Sequence, residues 1–155
     1  MAIARMSLII VAAVVLWTSL AIMPAAAAPK DEAAALETKV DELYRAGKYA
    51  DAIPLAQRAL AIREKALGPN HPDVAMSLKN LASLYRNQGR YADAEPLYKR
   101  SLAIREKALG RDHPDIAQSL NNLAALYRRQ GRYADAEPLY QRCIATKAAT
   151  PTPSH

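Results

Sequence analysis

The sequence predicts an all-α chain assembled from repeated two-helix units, and three observations predict it. The eleven residues QGRYADAEPLY stand at positions 88–98 and again at 130–140, so the segment returns after 42 residues. The composition favours helix over sheet: Ala and Leu dominate, Gly is limited to five, and the aromatics are eight Tyr and one Trp with no Phe. Within the repeat, Val74, Leu78, Leu81 and Tyr85 recur at i, i+4, i+7 and i+11, which places them on one helical stripe.

The register of the repeat extends well beyond those eleven residues. LAIREKALG at 60–68 returns at 102–110, and HPD at 71–73 returns at 113–115. The SL, NLA and LYR groups of 77–86 return at 119–128. An eroded earlier copy, LYRAGKYADAIPL, occupies 43–55. With its tyrosine matched to Tyr85, this copy reads as one residue short before Gly47, and Ala56 replaces the tyrosine of its second helix. Three units follow, at about 31–68, 72–110 and 114–148.

Each element has local reasons. Gly89 closes a first helix, where a positive φ is often required. Tyr91, Ala94, Tyr98, Ser101 or Leu102, and the stem of Arg105 mark the buried side of a second helix, which Gly110 ends, as Gly68 ends its counterpart. Pro72 and Pro114 suit the first position of the next helix, where a missing N–H costs nothing. Asp73 and Asp115 put negative charge in that first turn. Ala82 and Ala124 lie where the two helices of a unit should approach most closely. Glu95 and Lys99 have the spacing of an i,i+4 ion pair. Pro96 and Pro138 fall about one turn inside the second helix, where a proline forfeits a backbone bond, and the sequence offers no reason for the tolerance.

The ends differ from the repeats. Residues 1–28 combine Arg5, an uncharged run over 6–23, then Pro24 and four alanines. This is the pattern of a bacterial secretory signal cut near Ala27 or Ala28, which implies a periplasmic or secreted protein. The rival reading is an uncleaved inner-membrane anchor facing the periplasm, since the run reaches the lower limit for a hydrocarbon core of about 30 Å. The Pro- and Thr-rich tail at 149–155 is expected to be disordered. The net charge of +6 is spread along the chain, which permits an acidic partner without a block of basic residues. The single Cys143 rules out an intrachain disulfide and a thiolate zinc site.

The pattern L-A-x-L-Y-x-x-Q-G-R-Y-x-x-A-x-x-L-Y resembles the tetratricopeptide repeat (TPR). The 42-residue period, with its HPD and EPLY, resembles the longer kinesin light chain variety, found also in bacterial proteins. The resemblance covers residues 31–148. It implies a right-handed superhelix of three stacked hairpins, whose first helices line a concave groove and whose second helices form the back. It also implies a non-enzymatic scaffold that binds a peptide segment of another protein in that groove. By family position the inward face includes Met76, Lys79, Asn80, Ser83, Arg86 and Asn87, then Gln118, Asn121, Asn122, Ala125, Arg128 and Arg129, with Arg45 from the first unit. The candidate binding residues are therefore Arg45, Lys79, Asn80, Arg86, Asn87, Asn121, Asn122, Arg128 and Arg129. This face is almost free of carboxylates. Asn can both donate to and accept from a peptide backbone, and guanidinium grips a carboxylate bidentately, so acidic segments are the favoured guests. The alternative is a small structural or assembly subunit of an envelope complex, stacking its terminal hairpin on a copy of itself.

Other chemistry finds little support. All eight tyrosines fall at repeat positions, which favours packing over a base-stacking platform, and no nucleic-acid partner is expected. His71 and His113 sit in loops a full unit apart, so three or four metal ligands do not converge. Cys143 aligns with Ser101 and Ala59, a position that selects small residues. No G-x-S-x-G, phosphate-cradling Gly-rich loop or H-E-x-x-H occurs, and neither catalysis nor a cofactor is expected. Membrane contact is expected only through an uncleaved N-terminal segment.

Overall fold

The computed structural model describes residues 29–148. The expected leader at 1–28 and the expected disordered tail at 149–155 lie outside the described residues. Six helices follow in order: α1 (Pro29–Arg45), α2 (Tyr49–Leu67), α3 (Pro72–Asn87), α4 (Tyr91–Leu109), α5 (Pro114–Arg129) and α6 (Tyr133–Ala148). They pack as three hairpins, α1 with α2, α3 with α4 and α5 with α6, and each second helix packs on the first helix of the next unit. No strand occurs among the described residues.

The HPD triplets start helices, as expected. His71 is the N-cap of α3, and its Nδ1 accepts the Asp73 N–H at 3.1 Å. His113 does the same for α5, accepting from Asp115 N–H at 3.2 Å. Each imidazole thus takes the capping role that Ser, Thr or Asp usually fills, and the following proline sits in the first turn. The end of α3 is equally well defined. Gly89 N–H donates to Arg86 O at 3.0 Å and Arg90 N–H to Tyr85 O at 2.9 Å, with Gly89 at φ +75°. That pair of hydrogen bonds around a left-handed residue satisfies carbonyls a helix end would otherwise leave open.

The same bonds correct the reading of the first unit. Gly47 N–H donates to Tyr44 O at 3.0 Å and Lys48 N–H to Leu43 O at 2.9 Å. Leu43 therefore holds the place of Tyr85, and Tyr44 holds the place of Arg86. No residue is missing before Gly47. The backbone turn fixes the register, and two substitutions imitate a deletion when tyrosine is matched to tyrosine.

The core follows the helical stripe: Val74, Leu78, Leu81 and Tyr85 are all buried. Ala82 and Ala124 are fully buried, as their place at the crossing requires. Beside Ala82, Tyr98 fills the space of the hairpin, and its hydroxyl lies 2.8 Å from Ser83 Oγ. Burial pushes the Tyr98 phenol above its ordinary range, although the Ser83 bond and the Arg86 charge oppose this. Cys143 is buried and its thiol donates to Ala117 O at 3.2 Å, as Ser101 Oγ donates to Ala75 O at 2.7 Å in the preceding unit. The prolines also find an explanation. Pro54, Pro96 and Pro138 lie within helices yet are exposed, as are Ala50, Ala92 and Ala134, whose carbonyls they cannot bond. Water can take the missing place at little cost.

Units are also tied by charge. Arg100 pairs with Glu64 at 2.6 Å and bonds Pro69 O at 2.9 Å. Arg142 lies 2.6 Å from Glu106, out of hydrogen-bond alignment, and bonds Arg111 O at 3.1 Å. Between the second and third units, Glu95 gathers three donors: Lys99 at 2.7 Å, Arg132 at 2.7 Å and the Tyr127 hydroxyl at 3.1 Å. The expected Glu95–Lys99 pair is therefore part of a network, and the Arg132 guanidinium also stacks 4.2 Å above the Tyr127 ring. Burial pushes the Glu95 carboxyl up, but the Lys99, Tyr127 and Arg132 bonds outweigh it and hold the group below the usual range. Glu95→Gln is expected to cost about 1 kcal/mol at neutral pH, a figure kept low because Lys99 and Arg132 are well exposed. Because the folded value is depressed, this contribution is present above the ordinary glutamate range and lost as pH falls through the lowered value. Urea midpoints of parent and variant should therefore differ at pH 7 and converge in acid.

The last hairpin has no following unit among the described residues. Ile144 is 68% exposed, whereas Leu102, at the same place one unit earlier, is 8% exposed. Tyr133 is 67% exposed. Most tyrosines are buried or half-buried; the exposed ones are Tyr133, on the last described hairpin, and Tyr44, which stands at an arginine position on the inner face.

Candidate functional site

The first helices of the three hairpins converge on one cleft. Its volume is about 240 Å³, and it is lined by Val40, Asp41 and Tyr44 of α1, Lys79, Asn80, Ser83 and Leu84 of α3, and Gln118 and Asn122 of α5. Every lining residue comes from a first helix. The i, i+3, i+4 spacing that buries Leu78 and Leu81 on one side of α3 turns Lys79, Asn80 and Ser83 toward the other.

Three of the nine sequence candidates line this cleft: Lys79, Asn80 and Asn122. Asn87 stands at its border, where its side-chain amide donates to the Tyr44 hydroxyl at 3.0 Å. Arg86 is half-buried, and its Nε is shut from water without a hydrogen-bond partner. Arg45, Asn121, Arg128 and Arg129 are exposed and lie outside the cleft. The structure also adds residues. Asp41 contributes a carboxylate to a wall expected to have almost none, and Tyr44 contributes a ring and a hydroxyl. Tyr44 packs edge-on against Tyr49, with centroids 5.4 Å apart. Counting 42 residues back from Gly89 to Gly47 would have revealed Tyr44 on this face.

The cleft is polar and largely unengaged. Among the described residues, the side chains of Asn80, Gln118 and Asn122 make no hydrogen bond within the protein. Val40 and Leu84 supply the apolar floor. Burial lowers the Lys79 ammonium below its ordinary range, and the nearby Arg105 charge lowers it further, while Asp41 works in the opposite direction. Amides that can both donate and accept, with a cation beside them, can hold an extended peptide backbone. No group of three His, Cys, Asp or Glu side chains able to hold a metal occurs among the described residues. No helix among them is long and apolar enough to cross a membrane.

Stacked two-helix units with a polar cleft along their first helices define a helical-repeat scaffold. The chain belongs to the tetratricopeptide repeat family, whose model matches residues 31–107 and 74–149. Members of this family are protein–protein interaction scaffolds, in general without catalysis. The repeats are kinesin light chain-like in form. The chain is similar to the crystal structure of a Podosopora anserina kinesin light chain-like protein of nearly identical TPR-like repeats, at 26% identity and a TM-score of 0.71. That match covers 83% of this chain and 61% of the other. It is also similar to BtubC (BKLC) from P. vanneervenii, at 26% identity and a TM-score of 0.70, over 79% of this chain and 51% of that one. The TPR domain of Arabidopsis FLU shares the fold, with a TM-score of 0.69 at 19% identity over 79% of this chain and all of that domain. The chain thus spans less than two thirds of the first two of these structures. No match is found among proteins of curated function.

Proposed function

We propose that this scaffold holds an extended peptide segment of a partner protein along the first-helix cleft, with Asn80, Gln118 and Asn122 bonding the guest backbone. The observation that carries the reading is the set of three amides facing one cleft with no partner of their own. Lys79 would favour acidic guests, and Asp41 would discourage them at the α1 end. The leader-like sequence at 1–28 supports a role in the periplasm or outside the cell, or at the inner membrane if the segment is retained. Dodecapeptides selected from a random display library against the mature chain give a direct test by fluorescence anisotropy. Asn80→Ala with Asn122→Ala should weaken the selected peptides at least about tenfold, as two lost amide contacts would. Unchanged binding by the double variant would show that the guest lies elsewhere.

The exposed Tyr133 and Ile144 favour a second reading, self-association through the terminal hairpin. Light scattering on the mature chain separates the two. Mass that grows with concentration supports assembly, and a monomer at all concentrations supports the peptide scaffold alone.

A further inference from the structure

The 42-residue register lets each unit be compared with the next inside one chain. At the first junction, Arg63 of α2 pairs with Glu37 of α1 at 2.5 Å and donates to Ser77 Oγ of α3 at 2.9 Å. Ser77 Oγ donates in turn to Glu37 at 2.9 Å, so carboxylate, guanidinium and hydroxyl close a triad. Advancing each residue by 42 gives Lys79, Arg105 and Ser119 at the second junction. The arginine and serine are kept, and the carboxylate has become an ammonium.

The second triad consequently lacks its anion. Ser119 is 4% exposed, and its Oγ is buried with no hydrogen-bond partner. Arg105, which senses the Lys79 charge, makes no ion pair or hydrogen bond among the described residues. Lys79 forms no ion pair either, although Asp41 stands across the cleft. A buried hydroxyl without a partner costs free energy, and two cations held together lack the anion that would compensate them. We infer that Lys79, Arg105 and Ser119 form a seat for an exogenous carboxylate, an acidic side chain or C-terminus of the bound peptide, which takes the place that Glu37 fills internally one unit earlier. The guest oxygens would accept from the ammonium, the guanidinium and the hydroxyl, completing a triad this chain already builds once. Of the three, Lys79 lines the cleft with Gln118 and Asn122, and the seat rests on the cleft reading for its natural occupant.

Acetate alone and two labelled dodecapeptides serve as probes: Glu alternating with Gly and Ser, and the same sequence with Gln for Glu. In nitrogen-15 spectra, acetate should move the Arg105 Nε resonance saturably and leave Arg63 in place. The acidic peptide should bind at least tenfold more tightly than its amide counterpart. Lys79→Glu supplies the carboxylate internally. It should raise the melting temperature by roughly 3–6 °C, abolish the acetate response and erase the preference for Glu. An acetate response without peptide binding keeps the seat and defeats the cleft reading. Equal binding of both peptides, with a static Arg105 signal or a destabilised Lys79→Glu protein, overturns the seat and leaves the cleft reading intact.

Discussion

Leu78→Ala is expected to lower stability by about 2–5 kcal/mol, the range for truncating a buried leucine that leaves a cavity. Leu78 is fully buried on α3, within a cluster of Val74, Ala75 and Ile104 that joins α3 to α4 and packs against Leu60 of α2. The middle hairpin is the only one among the described residues with neighbours on both sides. In a linear array, stability is a sum of unit and junction terms, so weakening the middle unit loosens both junctions. Leu36→Ala, at the equivalent place in the first unit, removes a side chain that is only half-buried, in a hairpin with one neighbour among the described residues. Urea unfolding followed by circular dichroism should show the larger fall in midpoint for Leu78→Ala, with a broader transition as the outer hairpins separate. Equal shifts for both variants would mean that the hairpins do not share an interior.

What the sequence reveals of this architecture is whatever is local. The α3 stripe, the HPD starts and the glycine stops are each written within one turn of the residues they govern, and the structure has them all. Matching tyrosine to tyrosine misplaces the first unit, because side-chain identity there disagrees with backbone geometry. It sets Tyr44 against Tyr85, whereas the hydrogen bonds at Gly47 and Gly89 make Tyr44 the counterpart of Arg86. The cleft was legible as a face but not as a cavity. Lys79, Asn80 and Asn122 follow from helical position, whereas Asp41 joins them because α1 and α5 line the same cleft. Which first helices share a cleft depends on how the units stack, and no short segment encodes it. Ser77 and Ser119 show the limit most clearly. Each is followed by the same leucine and buried to the same degree, yet one is bonded and the other is not. The difference lies 40 residues away, where Glu37 in one unit becomes Lys79 in the next.

That asymmetry yields the second large effect. Arg63→Ala is expected to cost about 2–3 kcal/mol, because it leaves Glu37 and Ser77 facing each other without their shared donor. The ion pair is only about one-fifth exposed on either side, so solvent screens it less than the surface pairs. Arg105→Ala removes the same side chain from the same place in the repeat, but there it severs no bond. It also relieves Lys79 of a neighbouring like charge. Its expected cost is below about 0.5 kcal/mol, limited to the packing of the arginine stem. Thermal and urea unfolding of the two variants under identical conditions measure the contrast directly. If both lose stability alike, Arg105 has a partner of its own and the two junctions are equivalent. If neither does, the Glu37–Arg63–Ser77 triad contributes nothing to holding the first hairpin on the second.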